Sequence, residues 1–449
     1  MQHWDLRIGS ARYLICEPQA TSDGRPTGYG NLIRHVEQTI RAAAALGATV
    51  FFIRPQRPVN PALFDLSSPD VRIVGQNEWR ALLLRILWRL CAPMRHRQPL
   101  AWMKATAGRR ARPLVERAKH WTRSRGWRAI DRSLDRFGHR CRIAAHGYER
   151  HIVRAWSSVY SEARQRARAG SKKHRVRVRL RPAAEARAQQ IARDIGLDVA
   201  RPLVTLHVRE GGYRTRGADR QRYFDAIREA RLEAYAPAVE WLTTRGYQVV
   251  RIGDPTMTPC RWPGVIDVAT APWRTGAFEI WALLQSRFFI ASDSGPYFLS
   301  KLCGVPCLSL NVVQLGYYVV SAQDRYVCKH VYDSEAGRRL SLAEMLSEPF
   351  VETALERQRY QWIENSPAEL MEAVEDMIAL LDNPAARRTP AQQRHDRLLA
   401  DMSPARSRAR SRSGLLFRKP SAGTISPRFA ARYLDTELSH RLEPDPRLR

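Results

Sequence analysis

The chain has 449 residues, which is enough for two domains of ordinary size, and 44% of them are apolar, which excludes a wholly disordered protein. Its net charge of +30 is uneven, because residues 91–180 contain 25 Lys and Arg against 5 Asp and Glu. This excess predicts either a solvated basic surface or a surface that attracts anionic lipid or nucleic acid.

The hydrophobicity and the cysteines of the chain indicate its compartment. The first residues have no apolar core typical of a signal peptide, and no apolar run reaches the roughly 18 residues that a membrane span needs. Seven scattered cysteines favour a reducing compartment over a disulfide framework. We therefore expect a cytoplasmic protein that is either soluble or bound peripherally to the inner face of the membrane.

Residues 1–95 are predicted to form an N-terminal Rossmann-like domain. Arg12–Cys16 is predicted to be its first strand and Val50–Ile53 its second. Between them lies an amphipathic helix at Leu32–Leu46, which ends at Gly47. A strand, a helix and a strand in this order form a βαβ unit.

A loop rich in turn residues joins the first strand to the helix. Four of its residues are candidates for a site: Asp23, Gly28, Gly30 and Asn31. The glycines lack the full G-x-G-x-x-G spacing of a dinucleotide site. They either let the turn pass close to the sheet or leave room for a ligand in the cleft.

Residues 78–92 are predicted to form a helix with one apolar face, which is either a core helix or a helix that lies on an anionic bilayer. It leads into an Arg-rich segment with interspersed Trp, residues 96–185, which we interpret as a basic helical insertion. Residues 78–185 are therefore the segment that we expect at an anionic membrane surface.

The second half of the chain alternates between strands and helices, which is typical of a parallel sheet with right-handed crossovers. We assign residues 186–350 to a second Rossmann-like domain, residues 351–383 to a helical closing segment and residues 384–449 to a basic tail with a short terminal helix. The predicted fold class is therefore α/β, with two Rossmann-like domains facing a cleft and a basic helical insertion.

Three strands of the second domain end in polar residues that a ligand site would explain. Leu203–Leu206 is followed by His207, Arg209 and Glu210, and Tyr247–Ile252 is followed by Gly253 and Asp254. Arg287–Ala291 is followed by Ser292, Asp293, Ser294 and Gly295. Burying charged groups without partners is costly. Because the crevice beyond the carboxyl ends of the strands binds ligands in open α/β sheets, we expect one shared site there.

These strand ends carry a resemblance to a known family. The run His207-Val208-Arg209-Glu210 resembles the H-x-R element of fucosyltransferase-like enzymes. Three further runs make residues 200–435 similar to a family of bacterial glycosyltransferases with GT-B architecture: Arg251–Asp254, Phe289–Gly295 and Asn365–Leu370. The sequence departs from the family at position 210, where we expect Asp more often than Glu, and its basic insertion has no counterpart.

The resemblance implies a nucleotide-sugar donor at the strand ends, and the residue chemistry agrees. Arg209 would hold the diphosphate leaving group with a bidentate guanidinium. Ser294 and Gly295 precede a predicted helix whose first N–H groups would receive phosphate oxygens, and Asp254 would bind a ribose or sugar hydroxyl. The donor-binding set is Arg209, Tyr213, Gly253, Asp254, Ser292, Ser294 and Gly295, and the acceptor side is Asp23, Gly28, Gly30 and Asn31.

The same residues also have structural interpretations. Arg209 would then pair with Asp254 or Glu210, and His207 would be a satisfied core histidine. Ser294 would only cap a helix, and Asp254 would only close a turn.

The catalytic assignment comprises Arg209, His207 and Glu210. His207 and Glu210 are candidates for the general base that deprotonates the acceptor hydroxyl, and Asp23 is a third candidate from the facing domain. The nucleotide half contains no D-x-D pair, so we expect no metal site and no cofactor beyond the nucleotide-sugar substrate.

We therefore expect a GT-B glycosyltransferase that moves a sugar from a nucleotide-activated donor to a polysaccharide or glycolipid acceptor, with inversion and without a metal ion. Its partners would be the donor, a glycan or lipid-linked acceptor and an anionic membrane surface, but no specific nucleic acid. One rival is a nucleotide-sugar epimerase or hydrolase of the same architecture, which would turn over the sugar without an acceptor. Another is a nucleic-acid-binding protein, which would bind DNA or RNA with a steep salt dependence.

Overall fold

The computed structural model describes two compact units of the chain. The described residues are 2–8, 11–17, 29–53, 60–64, 66–81, 84, 177–211, 219–315, 321–402 and 422–435. The units are Met1–Thr27 with Gln38–Val176, and Gly28–Glu37 with Arg177–Arg449. Most of the predicted insertion at residues 96–185 lies outside the described residues. The insertion and the predicted cleft between two domains therefore stay predictions.

The first unit contains a four-stranded sheet in the spatial order β1-β2-β3-β5. The strands of this unit are β1 (Gln2–Ile8), β2 (Ala11–Glu17), β3 (Thr49–Phe52), β4 (Leu66–Ser67) and β5 (Ile73–Val74). β1 is antiparallel to β2, whereas β2, β3 and β5 run parallel. Its core contains buried apolar side chains from β2, β3 and β5: Ile15, Phe51 and Val74.

Helix α1 (Tyr29–Leu46) precedes β3 and begins three residues earlier than predicted. Its apolar positions Ile33, Val36 and Ile40 are fully buried. Gly47 follows it with a φ of +62°, a left-handed conformation that glycine adopts at low cost after a helix. The predicted strand, helix and strand of the βαβ unit are confirmed, and the edge strand β1 is an addition to them.

The second unit contains most of the regular structure. In chain order its elements are β6 (Arg179–Leu180), α2 (Pro182–Asp194), β7 (Leu203–His207), α3 (Asp219–Ala226), a 3-10 helix (Leu232–Tyr235), α4 (Ala236–Thr244), β8 (Gln248–Arg251), β9 (Val265–Asp267), α5 (Gly276–Gln285), β10 (Ser286–Ala291), α6 (Tyr297–Cys303), β11 (Cys307–Val312), β12 (Arg325–Cys328), β13 (His330–Asp333), β14 (Arg338–Arg339), α7 (Leu342–Met345), α8 (Glu348–Thr353), β15 (Tyr360–Ile363), α9 (Pro367–Asp382), α10 (Pro390–Asp401), β16 (Thr424–Ile425) and α11 (Pro427–Tyr433).

Seven of these strands form one parallel sheet in the order β9-β8-β7-β10-β11-β12-β16. The chain builds outward from β7 to β9 on one side and from β10 to β16 on the other. The order reverses between β7 and β10, and such a switch point leaves a crevice beyond the carboxyl ends of the two strands. Every residue of β7 is buried, including His207 at its carboxyl end. The polar end of this strand therefore lies at the floor of the crevice.

The parallel sheet is larger than the sequence predicts. Val305–Leu310 is predicted to be its last strand, but β12 and β16 extend it beyond β11. β16 belongs to the predicted tail, so residues 384–449 contribute to the same sheet as the predicted nucleotide domain. A separate antiparallel sheet has the order β14-β13-β15. In the described part of the chain, no helix is both long and apolar enough to cross a membrane.

Candidate active site at the strand switch point

The polar ends of β7, β8 and β10 meet at one edge of the parallel sheet. β7 lies between the other two strands, with His207 opposite Ala291 of β10 and Leu206 opposite Arg251 of β8. The Ser292 N–H donates to the His207 carbonyl at 3.0 Å, which continues the ladder past the strand ends. The structure therefore brings together residues that are up to 87 positions apart.

His207 ties the three strands together. Its Nδ1 lies 3.1 Å from the Ile252 carbonyl oxygen, so this nitrogen carries the proton, and its Nε2 accepts the Ser294 hydroxyl at 2.9 Å. Burial, together with the nearby cations Arg251 and Arg209, lowers the pKa of His207 to about 4. A neutral ring with both nitrogens bonded matches the satisfied core histidine of the structural interpretation. This geometry favours a positioning role for His207 over the predicted role of general base.

Glu210 is part of a buried ion cluster. One carboxylate oxygen pairs with Arg251 at 2.5 Å, and the other accepts the Thr258 N–H at 2.8 Å. Arg251 is fully buried and also donates to both oxygens of Asp267 at 3.1 Å. Both oxygens of Glu210 are thus engaged in structural contacts, so we assign it to the support of the site.

Arg209 lies at the switch point with part of its side chain in reach of solvent. Its backbone N–H donates to the Ser292 hydroxyl at 2.6 Å, and its Nη2 donates to Asp225 Oδ1 at 2.9 Å. Asp225, on α3, takes the place of the partners Asp254 and Glu210 that the structural interpretation predicts. The Arg209 and Asp225 side chains are 16% and 15% exposed, so this ion pair is not sealed inside the protein.

Asp293 and Arg228 extend this network, and neither belongs to the predicted set of catalytic or donor-binding residues. The fully buried Asp293 accepts the N–H groups of Val313 and Gln314 at 2.9 Å each. Its other oxygen accepts the Arg228 Nε at 2.7 Å. The sequence marks Asp293 as one of the polar residues that follow β10. Arg228 follows an ordinary polar helix, so no local pattern in the sequence indicates its role.

Gly253 and Asp254 form a turn after β8. The Asp254 Oδ1 accepts the Thr256 N–H at 2.9 Å and is also hydrogen-bonded to the Thr256 hydroxyl. A Cβ atom on Gly253 would lie 2.2 Å from the Met257 sulfur, so the flexible Met257 side chain would have to shift to admit a larger residue. These contacts match the structural interpretation of Asp254 as a turn residue.

Ser294 and Gly295 precede α6 as predicted, but Ser294 is not its cap. The N-cap residue is Pro296, and the Ser294 hydroxyl is directed to His207 instead. Ser292 likewise uses its hydroxyl inside the site, on the Arg209 backbone. Both serines thus fix the loop after β10 to the end of β7.

The predicted acceptor side is described only in part. Gly30 and Asn31 lie in the first turn of α1, inside the helix and not in the loop before it. Asp23, Gly28 and the predicted donor residue Tyr213 lie outside the described residues. Their roles stay predictions.

Glu279 is a buried carboxylate near this edge and is not one of the predicted site residues. It lies in the first turn of α5, is 3% exposed and accepts a hydrogen bond from Arg274 Nε at 2.8 Å. Burial raises the pKa of Glu279 to about 7, and the negative charge of Asp254 contributes to the shift. The signal in the sequence is a single acidic residue in the otherwise apolar run FEIWALL.

Glu279 is expected to lower the stability of the protein as the pH rises. Its folded pKa of about 7 lies above the ordinary glutamate pKa of 4.5, so between these values the folded form keeps a proton that the unfolded form has lost. The contribution of Glu279 to the free energy of unfolding therefore declines across this window. We expect Glu279→Gln to remove the decline and to raise the melting temperature at about pH 8. Thermal unfolding of both proteins at about pH 5 and about pH 8 measures this, and an unchanged pH dependence would contradict it.

Among the described residues, no group of three or more His, Cys, Asp and Glu side chains has the arrangement of a metal site. The switch point combines guanidiniums, hydroxyls and backbone N–H groups with the carboxylates that pair with the guanidiniums, among them Asp225 and Asp293. The guanidiniums, hydroxyls and N–H groups of such a set bind anions, and phosphate oxygens above all.

Comparisons with known proteins give little resemblance. No protein-family model matches the chain, and no curated protein sequence matches it significantly. It is similar in structure to a glycosyl transferase family 9 protein from Veillonella parvula DSM 2008, with 14% sequence identity and a TM-score of 0.31. The alignment covers 51% of this chain and 61% of the other, so the chain spans less than two thirds of that protein.

Proposed function

We propose that this protein is a glycosyltransferase that transfers a sugar from a nucleotide-activated donor to a glycan or lipid-linked acceptor. The observation that carries the proposal is the partly exposed guanidinium of Arg209 at the switch point of a seven-stranded parallel sheet. Nucleotides bind at such switch points, and a guanidinium is the side chain best suited to a diphosphate.

The chemistry of the transfer explains why an arginine belongs there. Negative charge develops on the diphosphate leaving group as the sugar departs, and fixed donors at that position lower the barrier. Arg209 supplies a positive charge that stabilises the leaving group, and the loop of Ser292, Ser294 and Gly295 borders the same strand end. His207 and the Glu210–Arg251 pair hold Arg209 in place through β7. We propose an inverting transfer in which these groups, and not a metal ion, stabilise the leaving group.

The general base comes from another part of the protein in this proposal. His207 and Glu210 are held by hydrogen bonds on both of their polar atoms, so neither is free to take the proton of the acceptor hydroxyl. Asp23 remains the candidate from the acceptor side. We also propose that the basic residues 78–185 hold the enzyme at an anionic membrane surface, where lipid-linked acceptors are present.

A donor screen tests the proposed function. The purified full chain is incubated with UDP-, GDP-, dTDP- and CMP-sugars, with and without a bacterial lipid and glycan extract, in the presence of EDTA. We expect one donor to release its nucleotide and to place its sugar on a component of the extract, as detected by mass spectrometry. Equal turnover without the extract would instead indicate the epimerase or hydrolase. Salt-sensitive binding of DNA or RNA with no donor turnover would contradict the proposal.

A further inference from the structure

Two guanidiniums at the switch point share a single carboxylate oxygen. Asp225 Oδ1 lies 2.9 Å from Arg209 Nη2 and 3.4 Å from Arg228 Nη1. The side chains of Arg209, Arg228 and Asp225 are between 13% and 16% exposed. An anionic oxygen between two such guanidiniums has the surroundings that a phosphate oxygen takes in an arginine-lined site.

The position of Arg228 is set independently of Asp225. Its Nε donates to Asp293, whose second oxygen is held by the N–H groups of Val313 and Gln314. Asn311 just before them has a φ of +54°, and the register between β11 and β12 shifts there, which turns the chain at this point. Arg228 also lies 5.0 Å from the centre of the Phe224 ring. The guanidinium is therefore fixed whether or not Asp225 is present.

Asp225, in contrast, lies at a position of its own helix where a negative charge is unfavourable. It lies in the last turn of α3, and the negative end of the helix dipole raises the cost of a carboxylate there. The two guanidiniums offset that cost. An incoming group with more negative charge and two oxygens would satisfy them better than one carboxylate oxygen does.

We propose that Arg228 is a second phosphate-binding guanidinium beside Arg209, and that Asp225 is an internal counter-ion that competes with the phosphate groups of the ligand for both. The statement that the ligand is the diphosphate of a nucleotide sugar rests on the proposed function. The competition between Asp225 and the ligand applies to any diphosphate. Asp225 thus sets the affinity of the site and disfavours ligands of low charge.

Calorimetric titration of the full chain with inorganic pyrophosphate at constant ionic strength tests this. We expect Asp225→Asn, which keeps the shape of the side chain and removes its charge, to lower the Kd about tenfold. Arg228→Lys keeps a charge next to Asp293 but loses the fork geometry, and we expect it to raise the Kd about tenfold. The matched control is Asp382→Asn, which removes a carboxylate paired with Arg287 at the opposite end of β10. We expect this control to change the Kd less than about twofold.

The outcomes separate this inference from the proposed function. A Kd for Asp225→Asn that equals or exceeds the wild-type value, or an unchanged Kd for Arg228→Lys, would overturn the inference even if nucleotide sugars are turned over. An equal decrease in the Kd of the Asp382→Asn control would show a general charge effect and would also overturn it. The expected pattern with pyrophosphate, together with no turnover of any nucleotide sugar, would support the inference and contradict the proposed function.

Discussion

Arg209→Ala is expected to lower kcat/KM for sugar transfer by about 10²–10³-fold, or about 3–4 kcal/mol of transition-state stabilisation. The guanidinium meets charge that grows on the leaving group, so its loss acts more on kcat than on KM. Steady-state kinetics with the donor identified in the screen measure the effect. The fold is expected to persist, because the Arg209 side chain is partly exposed and its backbone N–H still bonds Ser292.

A matched control for this variant is present in the same sheet. Arg287 at the start of β10 also pairs with an aspartate, Asp382, but it lies at the amino end of the strands. Arg287→Ala is expected to leave kcat/KM within about twofold of the wild type, because charge at that distance is screened by salt. Equal losses in the two variants, or no loss in Arg209→Ala, would remove Arg209 from the site.

Arg251→Met is expected to have the largest effect on stability, a loss of about 3–5 kcal/mol in the free energy of unfolding. Arg251 is fully buried between Glu210 and Asp267, so its removal leaves two carboxylates without their cation. Urea denaturation of the wild type and the variant measures this difference. A loss below about 1 kcal/mol would show that the cluster does not support β7 and β8 as we describe.

A triple variant separates the charge effect from the loss of packing. Arg251→Met combined with Glu210→Gln and Asp267→Asn removes the cation and both anions together. We expect it to recover a large part of the lost stability, since an uncompensated buried charge costs more than a neutral group of similar shape. A triple variant as unstable as Arg251→Met alone would assign the loss to packing.

The strands that form the site were predictable from local pattern. β7, β8 and β10 are short, largely apolar runs with β-branched or aromatic residues, and polar residues stand at or just after the end of each. Parallel strands bring their carboxyl ends to one edge, so the meeting of these residues followed from the alternation of strands and helices. β1 was not predicted, because the predicted first strand of the chain is Arg12–Cys16.

The partners of the site residues were not predictable in the same way. An ion pair depends on which elements pack next to each other in the folded protein. Nothing in the sequence connects Arg209 with Asp225 or Arg228 with Asp293. His207 and Glu210 have the side chains expected of a general base, but their polar atoms are engaged in hydrogen bonds and an ion pair with neighbouring residues of the fold. β16 has only two residues, which is too short for a periodic signal, and it joins the sheet through pairing with β12.

A crystal structure of the full chain with the nucleoside diphosphate of its donor tests the central claim most directly. The account predicts that the diphosphate lies beyond the ends of β7 and β10, with its oxygens about 3 Å from the Arg209 guanidinium. A diphosphate bound elsewhere on the protein, with Arg209 still paired to Asp225, would contradict it.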